Sequence, residues 1–314
     1  MALILSEKEV QDLIDMKEVV ASVEEAFRRQ GMGEASNSAR GRSAGHESVL
    51  NVMHANLAYL RRGGLKAYMS SKAGTKFVII LTDSSDSTPL AVMGANVLGR
   101  YRTGAASGVA TKHLFRGTSV KAAVMGSGRQ ALTQALALSA VVRVEELRVW
   151  SPSKEHRASF AKQLAAKGYD ASARDSPAEA LDGADVASSI TSSDRPFITD
   201  RMLGSVSHLN LCGSNVPSRS EASPAAVGSF DTVVVDDIPQ GRTEYGDLIL
   251  AAEAGRFSWS SALELGAVAA GRAKASGRTL FKSGGVALED VAVASMIYDK
   301  ARRSGRSYTE VELS

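Results

Sequence analysis

Apolar positions change their spacing several times along the chain, and each change marks a different kind of element. Ser6 with Glu9 has the spacing of a reciprocal N-terminal cap, and Val19, Val20, Val23 and Phe27 then share one face of a helix predicted over 17–30. Two helices are therefore expected to open the fold. Between Ser48 and Met93 the runs SVLNVM, GLKAYMS, KFVIILTD and PLAVMG are short, rich in strand formers and separated by Gly, Ser and Asp, which predicts an antiparallel meander. After Thr103 the stretch GAASGVATKHLF is small and apolar at helical spacing, which predicts a connecting helix in close packing.

From Ser119 the texture becomes strand, helix, strand: KAAVM, a helix over about 129–141, ELRVW, and a helix over about 153–167. DVASSI, SHLNLC and DTVVVD are short runs of the kind a parallel sheet covered on both faces requires. The stretch GVALEDVAVASMIYDKARR spaces Val286, Leu288, Val291, Ala294, Met296 and Ile297 as a helix does, and predicts a long terminal helix returning to the first domain. The first half thus reads as α+β and the second as α/β.

Composition narrows the function classes. At 314 residues two domains are expected, and a hydrophobic share of 44% supplies cores for both. The formal charge is +3, from 37 basic and 34 acidic residues without a basic run, so nucleic acid is not expected as a partner. One cysteine, Cys212, excludes an internal disulfide, and no Cys/His pair has zinc-site spacing, so no metal is expected. The N-terminus lacks a basic region before its apolar residues, and no window approaches the ~18 apolar residues of a membrane span; a cytoplasmic protein is expected.

The sharpest local signal is KAAVMGSGRQAL, where Gly126, Gly128 and Ala131 follow an apolar strand and open a helix. The first glycine permits a tight turn, the second lets backbone approach a pyrophosphate, and the alanine lets helix and strand pack closely. Helix-start N–H groups then hold the anion. At the end of the next strand, LRVWSPSKEHR has no acid to bond a ribose 2′-hydroxyl, whereas Ser151, Ser153, Lys154 and Arg157 suit a 2′-phosphate. NADP(H) is favoured on this basis, with NAD(H) as the alternative.

The ordered set VMHA, GLKAY, LGRYRTGAASGVATKHL, MGSGRQA, ITSS, CGSNVPSRSE, VVVDDIPQGRTEYGDL and FKSGGVALEDVAVA resembles the ornithine cyclodeaminase/µ-crystallin family over nearly the whole chain. The resemblance implies an α/β Rossmann dinucleotide-binding domain, here 116–287, inserted into an α+β substrate-binding and dimerisation domain made of 1–115 and 288–314. It implies a homodimer acting on a small amino or imino acid. Arg102 matches the arginine that clamps the substrate carboxylate, for which a planar bidentate fork is well suited. Arg40 or Arg42 qualifies as a second arginine. Lys66 matches the lysine beside the α-nitrogen, and its neighbours Leu65 and Ala67 suggest partial desolvation, which suits proton transfer. The cofactor-contacting set is Thr103, Gly126, Ser127, Gly128, Arg129, Gln130, Ala131, Ser151, Ser153, Lys154, Thr191, Ser192, Ser283 and Gly284. His54 stands where relatives often have proline. Asp236, Asp237, Glu244 and Asp247 are read as structural caps without a catalytic role.

One position departs from the pattern. Where cyclodeaminases and related alanine dehydrogenases carry an aspartate, this chain has Asn215, assigned to the substrate side. An amide takes up no proton near neutral pH and cannot act as a general base. The expected activity is therefore NAD(P)H-dependent reduction of an imino acid, as in ketimine or pyrroline-carboxylate reductases, or amino-acid dehydrogenation. A redox-neutral, ammonia-releasing ornithine cyclodeaminase and a non-catalytic crystallin-like NADP-binding protein are the alternatives.

Overall fold

Alternation along the long strands of the first half decides which side chains are buried: Met53, Ala55 and Leu57 turn inward while His54 and Asn56 stay exposed. The computed structural model describes residues 1–313. The strands of the first half are β1 (Ala2–Leu5), β2 (Ala35–Asn37), β3 (Gly41–Ala44), β4 (Ser48–Leu57), β5 (Arg62–Ser71), β6 (Gly74–Asp83) and β7 (Pro89–Gly94). There follow β8 (Ser119–Met125), β9 (Arg143–Trp150), β10 (Ala171–Ala173), β11 (Val186–Ser189), β12 (His208–Leu211), β13 (Thr232–Val235), β14 (Leu263–Glu264), β15 (Thr279–Lys282) and β16 (Thr309–Val311). The helices used below are α1 (Glu7–Leu13), α2 (Met16–Gly31), α3 (Asn96–Leu114), α4 (Ala131–Val141), α5 (Lys154–Ala165) and the terminal helix (Ala287–Arg303).

The chain divides into two compact units, Met1–Arg102 with the residues from Val286 onward, and Thr103–Gly285. The first division falls within α3, earlier than the boundary expected after residue 115.

In the first unit β4 to β7 form the expected antiparallel meander. The fold does not open on two helices, because β1 precedes them and adds parallel to β7, with β16 antiparallel on its far side. ALIL is too short to show a period, and only pairing reveals it as a strand. Ser6 and Glu9 close both bonds of the capping box, and Asp15 caps α2. The terminal helix lies on β4, β5 and β6 and against α2. Gly64 permits that approach: a Cβ there would meet the Ile80 carbonyl at 2.8 Å and Val291 Cγ2 at 3.2 Å. Arg62 fixes the far end of the helix by donating to both Asp299 oxygens, at 2.6 and 2.9 Å, and to the Ser295 carbonyl. Asn37 Oδ1 accepts from the first-turn N–H of Leu288.

In the second unit eight parallel strands run in the order β10-β9-β8-β11-β12-β15-β13-β14. Both faces are covered: Ala123 and Met125 of β8 join one core while Val120, Ala122 and Val124 join another. The order reverses direction between β8 and β11, the switch point at which open parallel sheets bind their ligands beyond the strand C-termini. Strand β15, TLFK, had no place in the sequence reading; it inserts between β12 and β13.

Gly64→Ala is expected to lower the stability of the protein by about 1–3 kcal/mol, since neither the Ile80 carbonyl nor the helix can withdraw freely. Urea denaturation checks this, and an unchanged midpoint would show that the helix is not held at this spacing.

Candidate active site

Strand alternation places Lys66 on the covered face of the first unit's sheet, opposite Met53 on β4 and Ile79 on β6, both fully buried. Its sequence neighbours Leu65 and Ala67 point to the other face and are not what desolvates it. The burial, to 2% exposure, comes from cross-strand neighbours and from the terminal helix above. That helix brings Asp290, whose Oδ2 lies 2.6 Å from Lys66 Nζ and whose Oδ1 lies 3.0 Å from Arg102 Nε. Glu289 Oε2 accepts from Arg102 Nη1 at 2.7 Å. Both carboxylates are fully buried in the first turn of the helix, where the helix dipole also favours negative charge.

Burial above all, with the charges of Arg102 and Arg40, lowers the Lys66 pKa to about 8 against the opposing pull of Asp290. Arg40 is therefore part of this cluster and is itself buried, whereas Arg42 is exposed on β3. Between the two arginines that the sequence left open, the cluster takes Arg40. His54, cross-strand from Leu65, is exposed on the opposite face from Lys66. Glu289 and Asp290 were missed because GVALEDVAVA reads as an amphipathic helix; two adjacent acids inside an otherwise apolar stretch were the available signal.

In the second unit the glycine turn leads from β8 to α4. Gly126 has φ +119°, and a Cβ there would meet the Ile190 carbonyl at 2.6 Å, so only glycine fits. Gly128 has open space where its Cβ would be, which leaves its backbone accessible to an anion. A cavity of about 550 Å³ at the switch point is lined by Gly126, Ser127, Gly128, Trp150, Ser151, Pro152, Ser153, His156, Ile190, Thr191, Ser192, Ser193 and Phe197. A glycine cradle that a side chain would fill, beside a cavity of this size, fits a dinucleotide.

Of the sequence-read cofactor residues, Gly126, Ser127, Gly128, Ser151, Ser153, Thr191 and Ser192 line this cavity. Ala131 is buried as the first residue of α4 behind the turn, Gln130 is its N-cap, and Arg129 precedes it exposed. Lys154, the first residue of α5, and Thr103 on α3 are not part of the wall. Ser283 and Gly284 are not part of it either; both donate to Asp236, which also accepts from the Tyr245 hydroxyl. Arg157 donates to the Ser151 and Pro152 carbonyls and pairs with Asp175, so its guanidinium shapes the β9 turn. Ser127 Oγ donates to Ser151 Oγ across the cavity floor at 2.9 Å. Asn215 is half-buried on the loop after β12. Asp237 caps the helix Ile238–Glu244 as read, but Asp247 is no cap: it is buried with its Oδ2 2.7 Å from Lys282 Nζ. His208 is a structural histidine, bonded to Thr279 and Asn210 and pushed by burial to about 4.

The second unit, a Rossmann sheet with a glycine cradle, defines a dinucleotide-binding protein, and the first, an α+β unit, carries a buried cluster of lysine, arginine and carboxylates. The chain belongs to the ornithine cyclodeaminase/mu-crystallin family, whose model matches residues 1–305. It is 30% identical to a Delta(1)-pyrroline-2-carboxylate reductase of Bacillus thuringiensis subsp. konkukian, covering 96% of this chain and 98% of that one. It is similar to the Thermococcus litoralis Delta(1)-pyrroline-2-carboxylate reductase solved with NADH and L-proline, at 30% identity and a TM-score of 0.92, over 98% and 100% of the two chains. An archaeal alanine dehydrogenase dimer with bound NAD matches at 28% identity and a TM-score of 0.90, over 100% of this chain and 99% of that one. Among the described residues no helix is long and apolar enough to cross a membrane.

Asp290→Ala is expected to cost about 3–5 kcal/mol, because it strands Lys66 and Arg102 without their shared counter-charge in a buried site. Denaturation in urea at neutral pH measures it; a cost under about 1 kcal/mol would mean that water reaches the cluster.

Proposed function

We propose that the protein is a nicotinamide-dinucleotide-dependent oxidoreductase that reduces the C=N bond of a small imino acid, or oxidises the corresponding amino acid. The observation that carries this reading is Lys66, a buried lysine with its pKa near 8, set between arginines suited to a carboxylate. Arg40 and Arg102 would hold the substrate carboxylate, which their planar guanidinium forks suit.

Lys66 then stands beside the substrate nitrogen. In the reductive direction its ammonium donates a proton there, and in the oxidative direction its neutral amine takes one up. When bound, the nicotinamide ring supplies or accepts the hydride at the adjacent carbon. The Gly126–Gly128 turn would hold the pyrophosphate, Ser151 and Ser153 the adenosine ribose, and Thr191 and Ser192 the nicotinamide side. The NADH and L-proline of the Thermococcus relative favour a cyclic imino acid whose reduced form is proline-like. Asn215 supports reduction over ammonia-releasing cyclisation, since its amide supplies no base.

The finer preference for NADP(H) rests on the missing acid at Trp150–Ser153 and on Lys154; Arg157 no longer contributes, being spent on backbone carbonyls. The relatives solved with NADH and NAD weigh against it, and the coarser assignment is a nicotinamide dinucleotide. A homodimer belongs to the same proposal, supported by the archaeal alanine dehydrogenase dimer. A cytoplasmic location also belongs to it, supported by a single cysteine in 314 residues.

The test is the Lys66→Ala variant together with a pH profile of the natural protein, using Δ1-pyrroline-2-carboxylate and NADH. Reduction needs the protonated lysine, so kcat is expected to fall as pH rises through about 8, while proline oxidation rises through the same pH. Lys66→Ala is expected to lose at least about 100-fold in kcat while still binding NADH. Full turnover in that variant would remove Lys66 from the reaction.

A further inference from the structure

Behind the cavity of the second unit lies a buried ionic network that the proposed chemistry does not use. Glu221 is fully buried, and its Oε1 accepts from Ser189 Oγ at 2.6 Å, Thr191 N at 2.7 Å and Thr191 Oγ1 at 2.8 Å. Its Oε2 accepts from Gly213 N at 2.9 Å. One carboxylate therefore ties the loop after β11 to the loop after β12. Gly213 is confined by the same contact, since a Cβ there would collide with the Thr191 carbonyl and with the Glu221 carboxylate.

Glu221 is itself held. Asp247 Oδ1 accepts from the backbone N–H groups of Glu221 at 2.7 Å and Ala222 at 2.9 Å, and from Ser220 Oγ at 3.1 Å. Lys282, at the end of β15, pairs with Asp247 and donates to the Ser214 carbonyl at 3.0 Å, next to Asn215. Burial pushes the Glu221 carboxyl up and Lys282 pulls it down. For Lys282 burial works against the ammonium, but Asp247 and Glu221 outweigh it and its pKa rises.

We infer that Glu221 is a positioning residue for the nicotinamide end of the cofactor, setting Thr191 against the cavity and locking the Thr191 and Gly213 loops in one register. The inference rests on the placement of the nicotinamide beside Thr191 proposed above. Its chemistry is specific to a carboxylate. Each of the two oxygens meets a backbone N–H, and a backbone N–H can only donate. Glutamine has the same shape but one acceptor oxygen, so its amide NH2 must face either Thr191 N–H or Gly213 N–H, and one loop loses its anchor. The glycine turn and the Trp150–Ser153 segment, which would hold the ADP half, make no bond to Glu221.

The experiment is a pair of binding constants on the intact protein and on Glu221→Gln. NADH is titrated by energy transfer from tryptophan, Trp150 being in the cavity wall, and ADP-ribose is measured by competition. ADP-ribose lacks only the nicotinamide, so the ratio of the two dissociation constants isolates that end. In the natural protein NADH is expected to bind more tightly than ADP-ribose. In Glu221→Gln the NADH affinity is expected to fall about tenfold, the size set by one buried donor losing its acceptor, with ADP-ribose within about twofold. A ratio unchanged by the substitution would overturn the inference. Equal affinities in the natural protein would sink the placement of the nicotinamide, and the inference with it. Should Glu221→Gln fail to fold, Glu221→Asp keeps both acceptors on a shorter stem, and the ratio is expected to move the same way; an unmoved ratio there overturns the inference equally.

Discussion

A lysine and an arginine buried under a helix are stable only if that helix carries the matching carboxylates, and this constraint organises the first unit. Ionised groups lose several kcal/mol each on leaving water, and removing one partner of such a cluster strands the others. Glu289 and Asp290 meet the requirement from the first turn of the terminal helix, where the dipole adds to their stability. The helix must therefore lie at one height and register above β5. Gly64 gives it the height, Arg62 with Asp299 holds its far end, and Asn37 receives its first free N–H. The two ends of the chain thus share a unit because the lysine comes from one and its counter-charge from the other.

The same economy of buried charge recurs in the second unit with a different outcome. There Lys282, Asp247 and Glu221 do not themselves line the cavity; their hydrogen bonds go mainly to backbone N–H and carbonyl groups of the loops after β11 and β12, and Glu221 reaches the wall only through Thr191. In the first unit the ionic side chains form the candidate chemistry; in the second they fix loop backbone, and small hydroxyl residues with the glycine turn line the cavity. Open parallel sheets bind their ligands beyond the strand C-termini, and the ionic network and the cavity both gather there.

Much of this was legible in the chain because it depends on local period or local backbone. The meander, the glycine turn, the capping box at Ser6 and the terminal helix follow from spacing alone. Lys66, Arg102 and the Ser151 and Thr191 loops came from the family pattern. What stayed hidden depends on partners distant in sequence. β1 and β15 are four-residue strands that only pairing defines, and Glu289 and Asp290 look like ordinary charges in a helix until β5 is placed beneath them. Arg157 read as a phosphate ligand because its charge is visible in sequence and its bonds to Ser151 and Pro152 are not. Lys66 was chosen with an incomplete reason: its desolvation comes from Met53, Ile79 and the terminal helix, since strand neighbours face the other way.

The central claim, net reduction of an imino acid, is tested most directly by stoichiometry. The protein is supplied with NADH and Δ1-pyrroline-2-carboxylate, and in a parallel reaction with ornithine and catalytic NAD+, with cofactor, proline and ammonia all measured. The account predicts one NADH oxidised for each proline formed from the imine, and no ammonia from ornithine. Proline and ammonia from ornithine without net change in the cofactor would contradict it and establish the cyclodeaminase reaction despite Asn215.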